Sequence, residues 1–367
     1  MPSDAIYVTR AGMPQFGSFC GQLKEIFDSG WLTNDGPYVR QLETALSAYL
    51  GCPYLVVCNN GTTALMLALH CAGLRGKKVA VTAYTYVATL SALLWIGCTP
   101  VFVDIDPKSL CMSAEKLDQA FTEHPDIAGV LPVQIYGLAC DDTALSDLCR
   151  IHHATLIYDA AQAFGSTWQG RSLLDFGDYS ICSFHATKIF HTAEGGCIVA
   201  HTKEAQEALA LARAFGHRGD THYTLGINAK MSELHAAMGL CLLQQTQAEI
   251  ARCKELHAIY DLALTDLSIL RPRPAEGLDW NFSYYPVLLP DEKILQHVIA
   301  ALAEENIYPR RYFYPALTEL PYIQQWMKTC FVAENVARRV LCLPLYAGLE
   351  AEIAERIAHC INQCLAD

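Results

Sequence analysis

The run KVAVTAYTYVATLSALLWIGCTPVFV, residues 78–103, decides how this chain folds. From Val79 to Val103 it carries no charge and on paper is long enough to cross a bilayer. Thr82, Thr85, Thr89, Ser91, Gly97, Thr99 and Pro100 interrupt it, however, at positions that spell a strand, a polar loop, a helix and a second strand. The run therefore predicts a buried βαβ unit and no membrane span.

On either side of this unit, strand-like runs over 54–58, 78–82, 99–103, 127–132 and 155–158 alternate with helical patterns over 63–71, 87–96, 114–121 and 142–152. That rhythm predicts an α/β fold with a mostly parallel central sheet flanked by helices. Residues 177–184 and 196–201 read as two further strands. In such sheets ligands gather where strands end, so the residues just after each strand carry the functional argument. Residues 232–260 read as one long helix, with Leu234, Ala237, Met238, Cys241 and Leu242 at helical spacing. Beyond it the βαβ rhythm is lost. Pro272 and Pro274 precede an expected strand over 281–289 and helices over 294–305, 333–339 and 350–364. The expectation is a large domain over residues 1–245 and a smaller C-terminal α+β domain over 246–367.

Composition narrows the function. The chain has 367 residues, of which 52% are hydrophobic and 17% charged, which excludes disorder and a coiled coil. Lys and Arg number 26 against 38 Asp and Glu, giving a net charge of −12 with no basic run, so nucleic acid is not an expected partner. The 16 cysteines include no Cys-x-x-Cys and sit mostly in apolar runs, as small buried hydrophobes do. Residues 1–10 lack the apolar core of a signal peptide, so the expected location is the cytoplasm, with no membrane and no metal.

Four strand-end segments carry chemistry. In Ser183-Phe-His-Ala-Thr-Lys188 a lysine follows a strand among aromatic and apolar residues. Apolar surroundings disfavour the charged form of an amine, and an imine-forming lysine needs the neutral one. In Tyr158-Asp159-Ala-Ala-Gln162 a carboxylate follows another strand; pyridoxal phosphate needs such an acid to hold its ring nitrogen protonated. In Asn59-Asn60-Gly61-Thr62-Thr63 a glycine turn leads into a helix whose free N–H groups and hydroxyls form a phosphate cradle. Tyr84-Thr-Tyr86 offers an aromatic that stacks on a flat cofactor. Each segment also has an ordinary reading: a solvated loop lysine, a capping aspartate, a capped helix, a core tyrosine. His185 and His191 flank Lys188 as cofactor neighbours or loop hydrogen-bonders. Arg310-Arg-Tyr-Phe-Tyr-Pro315 is a basic-aromatic cluster that fits a solvated face or a substrate contact.

Taken together and in this order, the segments resemble the sugar aminotransferase family of fold-type I pyridoxal-phosphate enzymes, which act on nucleotide-linked keto-sugars. The resemblance runs from Gly30-Trp-Leu-Thr-Asn-Asp-Gly-Pro37 to Leu341-Cys-Leu-Pro344. It includes Val101-Phe-Val-Asp-Ile-Asp-Pro107, Tyr136-Gly137, Glu194-Gly-Gly196 and Gly226-Ile-Asn-Ala-Lys-Met-Ser-Glu233. It implies that Lys188 is the imine-forming lysine and Asp159 the partner of the pyridinium nitrogen. Gln162 then stands beside the ring hydroxyl and Tyr86 stacks on the ring. Gly61, Thr62, Thr63 and Ser183 take the phosphate. Asn228 is implied to reach the phosphate of the neighbouring subunit's cofactor, hence a homodimer. Tyr86 stands where Phe or Trp is common in the family, and Lys230 where Arg is common.

The resemblance further implies transamination in two halves, with L-glutamate giving 2-oxoglutarate and the amino group passing to a nucleotide-linked keto-sugar. The run over 183–196 looks most like members that form dTDP-4-amino-4,6-dideoxyglucose from the 4-keto-6-deoxy sugar, a product class used in O-antigen and lipopolysaccharide biosynthesis. Members acting on 3-keto sugars share the fold and the lysine. A dehydratase of the family carries histidine in place of the lysine, against which Lys188 argues. Another fold-type I reaction would share Asp159 and Lys188 but not the sugar-family segments. A non-catalytic cofactor-binding regulator is the remaining alternative.

Overall fold

The computed structural model describes residues 5–326 and 328–366. The first four residues of the 1–10 segment, Met327 and Asp367 lie outside the described residues. Two helices that the sequence reading left unassigned, α1 (Phe16–Ser29) and α2 (Pro37–Leu50), precede the sheet. The sheet then alternates with helices: β1 (Tyr54–Cys58), α3 (Gly61–Cys71), β2 (Lys78–Thr82), α4 (Val87–Ile96) and β3 (Thr99–Val103). After these come α5 (Ala114–Glu123), β4 (Ile127–Leu131), α6 (Asp142–His152), β5 (Thr155–Asp159), β6 (Tyr179–Ser183) and β7 (Gly196–Ala200).

These strands form one sheet in the order β1-β7-β6-β5-β4-β2-β3. Only β7 runs antiparallel to its two neighbours; every other pair is parallel. Strands covered on both faces read as unbroken apolar runs, which is why the 78–103 run looked like a membrane span. It is instead β2, a loop, α4 and β3, with Lys78 to Thr82 paired to Thr99 to Val103. Gly97 ends α4 in the left-handed conformation, at φ 83. Among the described residues no helix is long and apolar enough to cross a membrane.

The second half departs from the sequence reading at two places. After α7 (Lys203–Arg213), the helix expected over 232–260 is two, α8 (Glu233–Leu243) and α9 (Thr246–Ala263). The Gln245 N–H and the Thr246 hydroxyl both donate to the Leu242 carbonyl, which tightens the ladder into a turn before it restarts. The strand expected over 281–289 shortens to β8 (Tyr285–Leu288). Phe282 is left-handed, and the buried Asn281 amide donates to the carbonyls of Gln162 and Phe164 instead of joining a ladder. Helices α10 (Glu292–Glu304) and α11 (Phe331–Arg339), strand β9 (Val340–Leu343) and helix α12 (Ala351–Ala366) complete the chain.

Buried side chains form two cores. The larger surrounds the seven-stranded sheet. The smaller gathers α9, α10, α12 and the β8–β9 pair. Trp280, Tyr284, Phe313 and Leu317 pack against the larger core although they lie late in the chain. Conversely, Ile6 and Tyr7 pair with Ile307 and Tyr308.

Two of the sugar-family segments lock together. Glu233 is buried; its N–H donates to the Leu32 carbonyl, and its carboxylate accepts from the N–H groups of Tyr38 and Val39 at 2.8 and 3.1 Å. It thus caps the start of α2 from across the fold. Gly36 is the residue that permits this, because a Cβ there would lie 2.5 Å from the Glu233 carboxyl carbon.

Candidate active site

The site is built where β1, β5 and β6 end. After β1, Asn60 adopts an extended backbone and its side chain accepts from the Thr63 N–H at 2.8 Å, capping α3. The N–H groups of Gly61 and Thr62 have no protein acceptor among the described residues, and the helix dipole adds partial positive charge there. Backbones crowd this corner. A Cβ on Gly61 would lie 2.9 Å from the Ser183 Cβ, and one on Gly196 would lie 2.9 Å from the Gly61 nitrogen. The end of β6, with Ser183, therefore presses directly on the start of α3. Thr63 turns the other way: its hydroxyl donates to Asn59 Oδ1 at 2.5 Å, so it braces the helix start.

Asp159 is the last residue of β5 and is 6% exposed. Its Oδ2 accepts from the Thr89 hydroxyl at 2.7 Å and its Oδ1 from the Ala161 N–H at 3.1 Å. Burial raises its pKa above the usual carboxylate value, while the bonds from Thr89 and Ala161 and the charge of Lys188 oppose that rise. Beside it, Gln162 Oε1 accepts from the Tyr136 N–H at 2.5 Å.

Lys188 lies in the loop between β6 and β7. Its Nζ donates to the Tyr284 hydroxyl at 3.1 Å and stands 5.7 Å from the centre of that ring. Tyr86 is exposed on one side and leans on Phe313, with ring centres 5.8 Å apart. His191 turns away from the cavity. Its Nδ1 accepts from the Ala193 N–H, so its Nε2–H donates to the Gly12 carbonyl at 2.8 Å, and burial lowers its pKa.

A cavity of about 280 Å³ unites these groups. Gly61, Thr62, Tyr86, Asp159, Gln162, Ser183 and Lys188 line it, as does His185. Thr63 and Asn228 do not; the Asn228 side chain accepts from Lys230 Nζ at 2.7 Å outside it. The wall also holds Thr89, Tyr284, Arg310, Tyr312 and Phe313. Thr89 had a signal in its i,i+4 spacing from Thr85, and the cluster over 310–315 was marked by composition. Tyr284 had none, since it sits in an apolar run. Arg311 leaves the cavity for Glu292 and the Tyr314 ring.

The donor set fits the expected pyridoxal phosphate. Free N–H groups at a helix start suit a dianionic phosphate, a buried carboxylate suits a ring cation, and an amine in the same cavity suits an aldehyde.

Comparison with known proteins agrees. The profile of the DegT/DnrJ/EryC1/StrS aminotransferase family matches residues 17–362. The chain is 37% identical to the dTDP-4-amino-4,6-dideoxy-D-glucose transaminase of Shigella dysenteriae over 98% of both chains. Its fold matches the crystal structure of DesI in the presence of its TDP-sugar product with a TM-score of 0.92 and 32% identity, covering 99% of this chain and 93% of that one. It also matches Spr1654 from Streptococcus pneumoniae in its PLP form with a TM-score of 0.88 and 25% identity, over 98% of each chain.

Proposed function

We propose that this chain, a member of the DegT/DnrJ/EryC1/StrS aminotransferase family, aminates dTDP-4-keto-6-deoxyglucose to dTDP-4-amino-4,6-dideoxyglucose. The chain is a pyridoxal-phosphate-dependent nucleotide-sugar aminotransferase. The choice of sugar is supported by the Shigella dysenteriae relative and by the DesI complex. L-glutamate as donor, giving 2-oxoglutarate, follows from the resemblance of the chain to the family. A cytoplasmic enzyme serving O-antigen and lipopolysaccharide synthesis accords with that product.

The observation that carries the reading is the meeting, in one cavity, of the Lys188 amine, the buried Asp159 and the open start of α3. When bound, pyridoxal phosphate supplies the electron sink and amino carrier that no side chain provides. The N–H groups of Gly61 and Thr62, with the hydroxyls of Thr62 and Ser183, hold its phosphate. Thr63 contributes through the helix start it braces. Asp159 keeps the ring nitrogen protonated, Gln162 borders the ring hydroxyl, and Tyr86 covers the ring. Lys188 Nζ anchors the cofactor and moves the proton at the donor's α-carbon, a task that needs its amine within reach of that atom.

We assign residues 1–245 to the large domain and 246–367 to the small one. The separate core of α9, α10 and α12 supports that division. A homodimer is part of the same reading. Asn228 stands outside its own cavity, on the segment that also exposes Tyr223 and Leu225, and a second copy would cover that exposed segment.

The test is incubation of holoprotein and glutamate with a panel of nucleotide-linked 4-keto and 3-keto sugars, with products identified by mass and NMR. The expected product is dTDP-4-amino-4,6-dideoxyglucose, absent with Lys188→Ala. Turnover of a 3-keto sugar alone would move the substrate to the sister activity. No amino transfer to any keto-sugar would leave a cofactor-binding regulator.

A further inference from the structure

Lys188 Nζ has one hydrogen-bond partner among the described residues, the Tyr284 hydroxyl, and that hydroxyl has no other. Tyr284 is 4% exposed and Lys188 is half-buried, so the bond between them lies at the cavity wall with its tyrosine side shielded from water. The ring cannot swing aside: Tyr136 and Tyr312 lie at ring-centre distances of 5.7 and 6.1 Å. Its main chain is equally fixed. The Tyr284 carbonyl accepts from His257 Nε2 at 2.8 Å, and His257 Nδ1 accepts from Arg271 at 3.3 Å. Arg271 in turn pairs with Asp261, which also accepts from the Tyr285 hydroxyl at 2.7 Å. A chain of polar groups running in from the surface at Asp261 to the buried His257 thus fixes the backbone of the residue whose hydroxyl meets the lysine.

We propose that Tyr284 is the positioning residue of Lys188: its hydroxyl oxygen accepts an Nζ hydrogen and holds the amine at the cavity wall whenever the lysine is not bonded to the cofactor. This rests on Lys188 being the reacting lysine. A lysine carries four rotatable side-chain bonds, and a freed amine that wandered would lose the alignment that proton transfer needs. The tyrosine confines that search without touching the reacting carbon.

The test compares wild type with Tyr284→Phe, which keeps the ring and deprives no group but Lys188 of a partner. With cofactor removed, each protein is treated with an amine-acylating reagent at one pH, and modification of Lys188 relative to the other lysines is followed by peptide mass spectrometry. The expected result is at least a threefold faster modification in Tyr284→Phe, because the amine is no longer tethered. With cofactor loaded, the glutamate half-reaction should slow at least tenfold at saturating glutamate, with the half-saturating concentration changed less than threefold. In Lys188→Ala protein, Tyr284→Phe should alter cofactor affinity less than twofold. An unchanged Lys188 modification rate together with an unchanged half-reaction overturns the proposal, as does an equal loss of cofactor affinity in both backgrounds. If Tyr284→Phe is poorly folded, Tyr284→Leu and Tyr284→Met are assayed in the same way, and normal Lys188 kinetics in either folded variant also overturns it. A wild type that binds no cofactor would instead overturn the functional reading.

Discussion

Thr89 Oγ1 lies 2.7 Å from Asp159 Oδ2 and donates its only hydrogen to it. The Thr85 hydroxyl, 3.0 Å from Thr89, must therefore be the donor in that second contact. Two hydroxyls, Thr85 just before α4 and Thr89 in its first turn, thus form a relay that ends on one buried carboxylate. Thr89→Val removes the last donor while keeping the side chain's shape. The expected outcome is a turnover lowered about tenfold, or about 1.4 kcal/mol in the barrier, with cofactor still bound. Steady-state rates at saturating glutamate check this. Asp159→Asn should cost more than Thr89→Val, since an amide cannot hold a ring nitrogen protonated; a smaller loss would make Asp159 a structural cap.

Asn228 should tie association to cofactor retention. If its side chain serves the phosphate in the partner subunit, the cofactor is a ligand of the dimer, and mass action makes each stabilise the other. Sedimentation of apo and holo protein over a dilution series should show more monomer after stripping, and Asn228→Ala should shrink the difference. A holoprotein that stays monomeric and active at every concentration would sink the idea.

The Glu233 cap predicts a stability pattern. Glu233→Ala leaves the N–H groups of Tyr38 and Val39 buried without an acceptor, at a cost of about 2 kcal/mol. Gly36→Ala drives a methyl into the same carboxylate, at a cost of about 1–3 kcal/mol. Chemical denaturation of the double variant should show much less than the sum, because the clash needs the carboxylate to be present.

His257 sets an acid limit. Burial, helped by the Arg271 charge, lowers its pKa to about 3. The unfolded value of about 6.5 lies above that, so the unfolded chain takes the proton first. Stability is therefore full above about pH 6.5 and falls as pH drops towards 3. Between pH 7 and pH 5 this group alone should remove about 2 kcal/mol. Unfolding free energies from urea titrations at the two pH values should lie closer together by about that amount in His257→Gln. An unaltered pH dependence in that variant would mean that other groups carry the acid sensitivity.

Legibility varied with the kind of signal. The parallel strands were readable because burial on both faces makes each an apolar run bounded by turns, and the 78–103 run alone gave β2, α4 and β3. Asp159, Lys188, Gly61 and Ser183 were marked because each follows or ends a strand. The break between α8 and α9 was hidden, since no glycine or proline marks it and a threonine hydroxyl does the work. Asn281 defeated the strand reading because its amide finds carbonyls distant in sequence. Tyr284 was invisible for a related reason: its meaning depends on β8 being carried to the far side of the lysine, which no local pattern encodes. Thr63 was named with its neighbours by spacing, and only the direction of its hydroxyl separates it from them.

The cavity wall has an order of manufacture. Asn60 to Lys188 and Glu194 leave the ribosome first, whereas Tyr284 and the stretch from Arg310 to Phe313 come later. At translation rates on the order of 5–20 residues/s, roughly 6–25 s separate Lys188 from Phe313. During that interval the nascent chain carries the phosphate corner and the lysine, but the lid-like aromatic wall and the tethering hydroxyl do not yet exist. Ile6 and Tyr7, made earlier than any of these, wait longer still for Ile307 and Tyr308. A newborn chain can thus present a cofactor cradle well before it can react, and cofactor captured early would template the closure of the second core around it.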